Sequence, residues 1–328
     1  MFIKCCITGI PPIETIGLGR SSVISLILVP LPPANMTTCL MFCLCFSIIF
    51  YNNYTYRMDN KTVIVSGSSG FIGKNFLEMY SNKNFYKVSR QDNQIFFKDY
   101  KNRLDKNFLK TDKELVLLHL ATHFSKDPND NDLIFKANIN FGKNLLNKLK
   151  SFNLKKIVYT NTMFNFYNEQ NMRDLYYTNT KQTFSNHLKK FCINENILYE
   201  EIFLDNTFGV NDTRNKIIPL IVASIVNGKK NPILNPDALI NLVSVKDVAS
   251  RLNQAISDNR NQSSIFVQEK SFQLKSIYDY LNHYNLSNYT DSSLIKLKSN
   301  NYSYSMNLNN ENVHNISRVY SQLLELIK

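Results

Sequence analysis

The stretch Tyr177-Thr178-Asn179-Thr180-Lys181 carries a phenol and an ammonium four residues apart. In a helix that spacing puts both groups on one face. A cation beside a phenol favours the phenolate and lowers its pKa, so Tyr177 becomes a usable proton donor or acceptor near neutrality. A second stretch, Val63-Ile64-Val65-Ser66-Gly67-Ser68-Ser69-Gly70-Phe71-Ile72-Gly73-Lys74, sets three glycines in G-x-x-G-x-x-G spacing behind a β-branched run. Gly67 allows a tight turn out of a strand, Gly70 lets the backbone approach a pyrophosphate, and Gly73 lets the next helix pack against the strand. The helix N-terminus then offers unpaired N–H groups to the anion. This is the pattern of a dinucleotide-binding turn.

Such groups work only if strands and helices hold them. Residues 63–65 read as a buried strand, 71–80 as the first helix and 85–88 as the second strand. After that strand, Ser89 and Arg90 stand where a carboxylate would hold the ribose hydroxyls of NAD(H). Arg90 can pair with a 2′-phosphate, which favours NADP(H) over NAD(H); nearby Asp92 is the residue that would serve NAD(H). Residues 115–118 are a continuous apolar run, as in a central parallel strand covered on both faces. They lead into His119-Leu120-Ala121-Thr122, where the chain should pass beneath the cofactor. His119 reads as a packed strand-end residue, while His123 and Ser125 fall where such sheets bind ligands. Ile134, Ala137, Phe141, Leu145 and Leu149 form a helical stripe over 133–150. Residues 156–159 give another strand, running into Thr160-Asn161-Thr162, and the next helix carries Tyr177 and Lys181 with a core stripe of Phe184, Leu188 and Phe191. Residues 217–226 read as a further helix ended by Asn227-Gly228, and the tyrosines from Tyr278 to Tyr284 as part of a small helical lobe.

Composition narrows the class. The 328 residues are 44% hydrophobic, enough for a substantial core. The formal charge of +12 is spread over single and paired lysines such as Lys155-Lys156 and Lys189-Lys190, a solvated surface rather than a nucleic-acid face. No His/Cys/Asp cluster has metal-ligand spacing. Of six cysteines, Cys5, Cys6, Cys39, Cys43 and Cys45 precede residue 46, leaving Cys192 as a packed core thiol and implying a reducing, cytoplasmic setting. Residues 1–57 are unlike the rest, without charge from Ser21 to Tyr56. Their apolar patches, 23–29 and 39–51, fall short of the roughly 20 residues that span a bilayer. The fold is therefore expected to start at Met58, with 1–57 as an atypical extension; a membrane anchor is the competing reading.

In order and spacing these motifs resemble the extended short-chain dehydrogenase/reductases, the NAD(P)-dependent nucleotide-sugar epimerase/dehydratase family, over residues 60–328. Gly67, Gly70, Phe71, Ile72 and Gly73 match its G-x-x-G-F-I-G turn. His119 to Thr122 look like its H-x-A segment, Asn138 its helix asparagine, Thr162 its catalytic Ser/Thr, and Tyr177 with Lys181 its Tyr-x-x-x-Lys pair. Asn206-Thr207-Phe208-Gly209 resembles N-V-Y-G, and Val243-Ser244-Val245-Lys246-Asp247-Val248-Ala249 resembles V-x-D-V-A. The resemblance implies an α/β fold: a Rossmann-type doubly wound parallel sheet with a smaller C-terminal substrate-binding lobe. Residues 58–205 would form the NADP-binding core and 206–328 mainly the lobe, with segments near 240–250 returning to the core.

Departures from the family pattern sharpen the expectation. Thr162 is followed by Met163 and Phe164, without the acidic pair of the 4,6-dehydratases. The ribose-binding acid usual in the epimerases is replaced by Arg90. The sequence looks most like the nucleotide-diphosphate 4-keto-6-deoxyhexose 4-reductases of the CDP-abequose synthase kind. The implied enzyme is an oxidoreductase of deoxysugar synthesis for surface polysaccharide such as lipopolysaccharide O-antigen. By resemblance Thr162, Tyr177 and Lys181 are catalytic. Gly67, Gly70, Phe71, Ile72, Gly73, Ser89, Arg90, Leu120, Ala121, Thr122, Tyr177 and Lys181 bind cofactor, and His123, Thr162 and Asn206 meet a nucleotide-diphosphate sugar. No metal or nucleic acid is expected, and a homodimer is. The alternatives are an NAD-dependent nucleotide-sugar 4-epimerase and a non-catalytic NADP-binding protein. One family feature is missing: where an arginine usually grips the diphosphate the chain reads Leu239-Ile240-Asn241-Leu242, with Arg214 and Lys216 nearby in sequence.

Overall fold

The computed structural model describes residues 61–81, 84–91, 94–99, 101–104, 113–167, 170–173, 175–286, 299–301, 309–310 and 316–327. All belong to the unit Asn52–Lys328. The expectations for residues 1–57, for a start at Met58 and for Asp92 lie outside the described residues.

Strand β1 (Lys61–Ser66) is buried along its whole length, and its alternate residues serve opposite faces of a central sheet. Val63 and Val65 point to the layer that holds helix α1 (Phe71–Met79); Ile64 points to the other layer. A strand covered on both sides must be apolar throughout, which is why its run does not alternate. Strands β2 (Phe85–Gln91), β3 (Gln94–Lys98), β4 (Glu114–His119), β5 (Leu154–Thr162) and β6 (Leu198–Leu204) follow, and β10 (Gln262–Phe266) and β13 (Asn309–Asn310) complete the sheet. Its order is β13-β10-β6-β5-β4-β1-β2-β3 among the described residues. Every pairing is parallel except β2 with β3.

Helices α2 (Asn131–Phe135), α3 (Phe141–Leu149) and α5 (Tyr176–Asn194) are in the layer facing Ile64; the short α4 (Gln170–Arg173) precedes α5. In that layer Leu115, Leu117, Leu145, Leu149, Ile157, Phe184 and Leu188 are buried together. Helix α7 (Val245–Ser257) joins α1 opposite, with Val248, Leu252 and Ile256 against Val116, Leu118 and Val158. Each such buried aliphatic side chain contributes about 1.5–3 kcal/mol relative to exposure. Helices α6 (Ile217–Val226), α8 (Leu274–Leu286) and α9 (Ile316–Glu325) surround a separate core of Ile218, Ile221, Phe272, Ile277, Leu281, Val319 and Leu323. Short strands accompany it: β7 (Asn206–Phe208) pairs with β9 (Leu242–Ser244), while β8 (Leu239–Ile240) and β12 (Ser299–Asn301) flank β11 (Lys270–Gln273). The C-terminal lobe therefore mixes strands with the expected helices.

Buried charged side chains find partners within this frame. Lys61 Nζ donates to the carbonyls of Ile256 and Ser257, satisfying the end of α7. On β6, Glu200 accepts from Lys156 at 2.6 Å and from Arg251 at 2.7 Å. Its neighbour Glu201 turns to the α5 layer, where Ser185 Oγ donates to it at 2.6 Å.

The structure departs from the expected helix 133–150 at one place: Lys136–Asn140 is a π-turn between α2 and α3. The extra residue per turn carries Asn138 toward the loop after β4.

Candidate active site

The carboxyl ends of the parallel strands open into a cavity of about 1030 Å³, at the upper end for ligand sites. The glycine turn forms one wall. Gly67 has φ +71°, and a Cβ there would lie 2.6 Å from Ala121 N. At Gly73 a Cβ would meet Gly67 O at 2.3 Å. Gly70 differs, because its Cβ would meet only Gly67 O, at 3.3 Å, and would otherwise project into open space. No side chain caps α1 at Gly70, so the first amides of the helix remain available. An open backbone cradle, free helix-end N–H groups and a cavity of this size together fit a nicotinamide dinucleotide with room for a second ligand.

Ser89 and Arg90 line the same cavity near the end of β2. Arg90 is exposed, with its guanidinium 5.0 Å from the ring centroid of Phe141. The unforeseen strand β3 fixes this rim by pairing Ser89 with Phe96 and Arg90 with Ile95.

Leu120, Ala121, Thr122 and His123 form the floor. His119 lies beneath them, packed against Phe141, Tyr159 and Phe184 and 2.9 Å from Ser66 Oγ through Nδ1. Burial, and the nearby Lys181 charge, push its pKa down to about 3, so it is a neutral packing residue. Asn138 clamps the floor: it accepts from Thr122 Oγ1 and His123 N, and donates to His123 O and Thr180 Oγ1.

Thr162, Tyr177 and Lys181 converge on the cavity. Asn161 Oδ1 holds the Thr162 backbone N–H at 2.8 Å, and Thr162 Oγ1 accepts from Phe164 N at 3.2 Å. Burial pushes the Tyr177 phenol up to about 12, while hydrogen bonds with Thr122 and Thr162 and the charge of Arg214 pull the other way. Phe124 packs edge-on to Tyr177 at 4.9 Å, and Phe164 at 6.3 Å. Lys181 Nζ donates to Thr160 O at 2.6 Å and lies 4.2 Å from the Tyr159 ring centroid. Burial brings this amine down to about 7, against the opposing charge of Glu201.

These contacts correct one expectation. Spacing suggested that Lys181 would depress the Tyr177 pKa directly. The shared face of α5 packs on β5, where Lys181 finds a backbone acceptor and Tyr177 finds two threonine hydroxyls, and desolvation dominates the phenol.

At the other end, Asn206 lines the cavity with its amide bound to Asp205 Oδ1 at 2.6 Å; Tyr167 OH donates to the same oxygen. Asn241 is buried and spent on the backbone of Gln268 and Lys270. Arg214 and Lys216, near Asn206 in sequence, line the cavity instead. Asp212 and Thr207 orient Arg214, whose guanidinium stacks 4.1 Å from the Phe71 ring centroid. Lys216 Nζ is 3.4 Å from the Phe124 ring centroid; burial, with the charges of Arg214 and Lys126, lowers its pKa to about 8 against Asp212. Phe124 and Phe164 were not foreseen as site residues, since nothing in their local sequence separates them from core aromatics. Among the described residues no group of His, Cys, Asp and Glu could hold a metal ion, and no helix is long and apolar enough to cross a membrane.

The model of one family, the NAD dependent epimerase/dehydratase family, matches residues 63–267. No curated protein matches the chain in sequence. Among solved structures, it is similar to UDP-N-acetylglucosamine 4-epimerase from Methanobrevibacter ruminantium M1 in complex with UDP-N-acetylmuramic acid. The two are 19% identical, over 81% of this chain and 97% of that one, with a TM-score of 0.59. UDP-glucose 4-epimerase from Thermotoga maritima, solved with UDP-glucose, is 14% identical over the same shares, 81% and 97%, at a TM-score of 0.60. RMD from Pseudomonas aeruginosa, complexed with NADPH, is 16% identical over 68% of this chain and 82% of that one, at 0.53. At these identities the likeness establishes the fold.

Proposed function

The chain belongs to the NAD dependent epimerase/dehydratase family, and from that premise we propose that it reduces the C4 ketone of a nucleotide-diphosphate 4-keto-6-deoxyhexose with NADPH. The observation that carries this reading is the convergence of Thr162, Tyr177 and Lys181 on one cavity, with the Tyr177 phenol held protonated there by burial. A protonated phenol is the state needed to donate to a developing alkoxide, and the wrong state for removing a proton from an alcohol.

In this reading residues 58–205 hold the cofactor and 206–328 chiefly hold the sugar nucleotide. Gly67, Gly70 and Gly73 admit the pyrophosphate to the start of α1, and Arg90, with Ser89, meets the 2′-phosphate at the rim. Bound NADPH supplies a hydride. Tyr177 gives its proton to the carbonyl oxygen of the substrate, and Thr162 donates a hydrogen bond to that oxygen as charge develops there. Lys181 holds the nicotinamide ribose and returns positive charge toward the phenol once its proton has left. Phe124 and Phe164 exclude water beside Tyr177 and give the sugar ring an apolar wall. Arg214 and Lys216 take the diphosphate in place of the missing strand arginine, and Asn206 and His123 contact the sugar.

A second reading, an NAD-dependent nucleotide-sugar 4-epimerase, draws support from the fold likeness to the two 4-epimerases above. Incubating the purified chain with UDP-glucose-type sugars and NAD, and separately with 4-keto-6-deoxy sugars and NADPH, tells the two apart. Stoichiometric cofactor oxidation supports the reductase; sugar inversion without net cofactor change supports the epimerase. Cofactor binding with neither would leave a non-catalytic NADP-binding protein.

A further inference from the structure

Glu201 is fully buried on β6, at the centre of a hydrogen-bonded cluster drawn from β5, α5 and β10. Its Oε1 accepts from Asn161 Nδ2 at 2.7 Å and from Ser185 Oγ at 2.6 Å. Its Oε2 accepts from Ser263 Oγ at 2.8 Å and pairs with Lys189 Nζ at 2.9 Å. Asn161 is the same residue whose Oδ1 holds the backbone N–H of Thr162. Lys181, Ser185 and Lys189 recur every four residues along α5, so the face of α5 that bears Lys181 rests on this carboxylate.

We propose that Glu201 is a positioning residue of the active site: its carboxylate fixes Thr162 through Asn161, and anchors and charges the face of α5 that carries Lys181. The proposal rests on the roles of Thr162 and Lys181 given above. An ionised carboxylate without solvent is costly unless fully bonded, and the four donors meet that cost. Burial alone would raise the Glu201 carboxyl; Ser185, Lys189 and Asn161 more than offset it and hold it below the usual carboxylate range. The groups around Lys181 are neutral His119 from β4, Tyr159 from β5, Tyr177 from α5, and Glu201 from β6, whose carboxylate is also paired with Lys189. Tyr159 and Tyr199, the phenols near Glu201, are raised by burial and by its charge, so both stay neutral. Glu201 is then the negative charge in this set that favours ammonium at Lys181.

The test follows Lys181 directly in the full chain, with lysine isotopically labelled at Cε, its NMR signal assigned by loss in Lys181→Arg and titrated against pH. In Glu201→Gln the amide oxygen can keep Asn161 and Ser185, while the amide nitrogen can donate to Ser263 and Lys189 can swing to water, so the fold has a satisfied alternative. The midpoint, near 7 in the unaltered chain, falls by roughly half a unit or more in Glu201→Gln. It rises in Lys189→Met, a half-exposed position that does not threaten folding, because a competing cation is removed. Ser263→Ala leaves it in place. Asn161→Ala leaves it in place too but lowers keto-sugar turnover about tenfold, by loosening Thr162. A midpoint unmoved in both charge variants, or moved equally by Ser263→Ala, overturns the proposal whatever the enzyme turns over. Charge-dependent midpoints in a chain that reduces no keto-sugar would support the anchor and overturn the assigned reaction instead.

Discussion

Lys181 donates its amino group to the backbone oxygen of Thr160 at 2.6 Å, while Tyr177, one turn earlier on the same helix, is buried against Phe124, whose ring lies edge-on at 4.9 Å. The lysine is therefore tied to strand β5, although both side chains line the cavity with Thr122 and Thr162. Burial leaves the phenol protonated across the neutral range and brings the amine down to about 7.

Removing only the phenolic oxygen should separate chemistry from binding. Tyr177→Phe is expected to lower turnover by about 10²–10⁴-fold, the usual worth of a positioned acid. NADPH affinity, read by fluorescence titration, should stay within a few-fold, because the turn and Arg90 are untouched.

Arg90 tests cofactor choice. A charge-assisted hydrogen bond is worth about 1.5–3 kcal/mol, so Arg90→Glu should weaken NADPH roughly tenfold or more while leaving NADH unharmed. Comparing KM for the two cofactors measures it. Equal losses for both would mean that Arg90 does not meet the 2′-phosphate.

The three glycines should fail in different ways. Gly73→Ala forces a Cβ to 2.3 Å from Gly67 O, so the turn must move and thermal stability should fall. Gly70→Ala meets only one atom, at 3.3 Å, so the protein should stay folded but lose cofactor affinity. Thermal melting with and without NADPH distinguishes the two outcomes.

His119 predicts acid sensitivity. Its folded pKa of about 3 lies below the unfolded value of 6.5. Between these values the unfolded chain binds a proton that the folded chain refuses, so stability rises with pH over that window and is lost as pH falls below about 6.5. Lowering the pH from 7 to 4.5 should cost roughly 2–3 kcal/mol through this residue. Urea unfolding at both pH values gives the difference, and His119→Gln should shrink it.

Much of this arrangement was legible in the chain because local rules and the fold agree. Gly67 and Gly73 are required by a positive φ and by close backbone approach, and the apolar runs at β1 and β4 need cover on both faces. The rest depends on contacts distant in sequence. The π-turn exists where Asn138 reaches Thr122, His123 and Thr180, none of which a helical stripe can reveal. Strand β3 is an edge held by β2 and by Lys148, which donates to Ile95 O at 2.7 Å. Helical spacing put Tyr177 and Lys181 on one face correctly, but their partners come from β5 and the β4 loop. Whether Arg214 faces the cavity was decided by Asp212 and Thr207.

The central claim is a hydride-consuming reduction in which Tyr177 supplies the proton. The direct measurement is loss of the reduced-nicotinamide absorbance when the purified chain meets NADPH and a panel of nucleotide-diphosphate 4-keto-6-deoxyhexoses, with Tyr177→Phe alongside. The account predicts oxidation that requires the keto-sugar, matches product one for one, and all but disappears in the variant. Tight NADPH binding without oxidation on any keto-sugar, or equal rates in Tyr177→Phe, would contradict it.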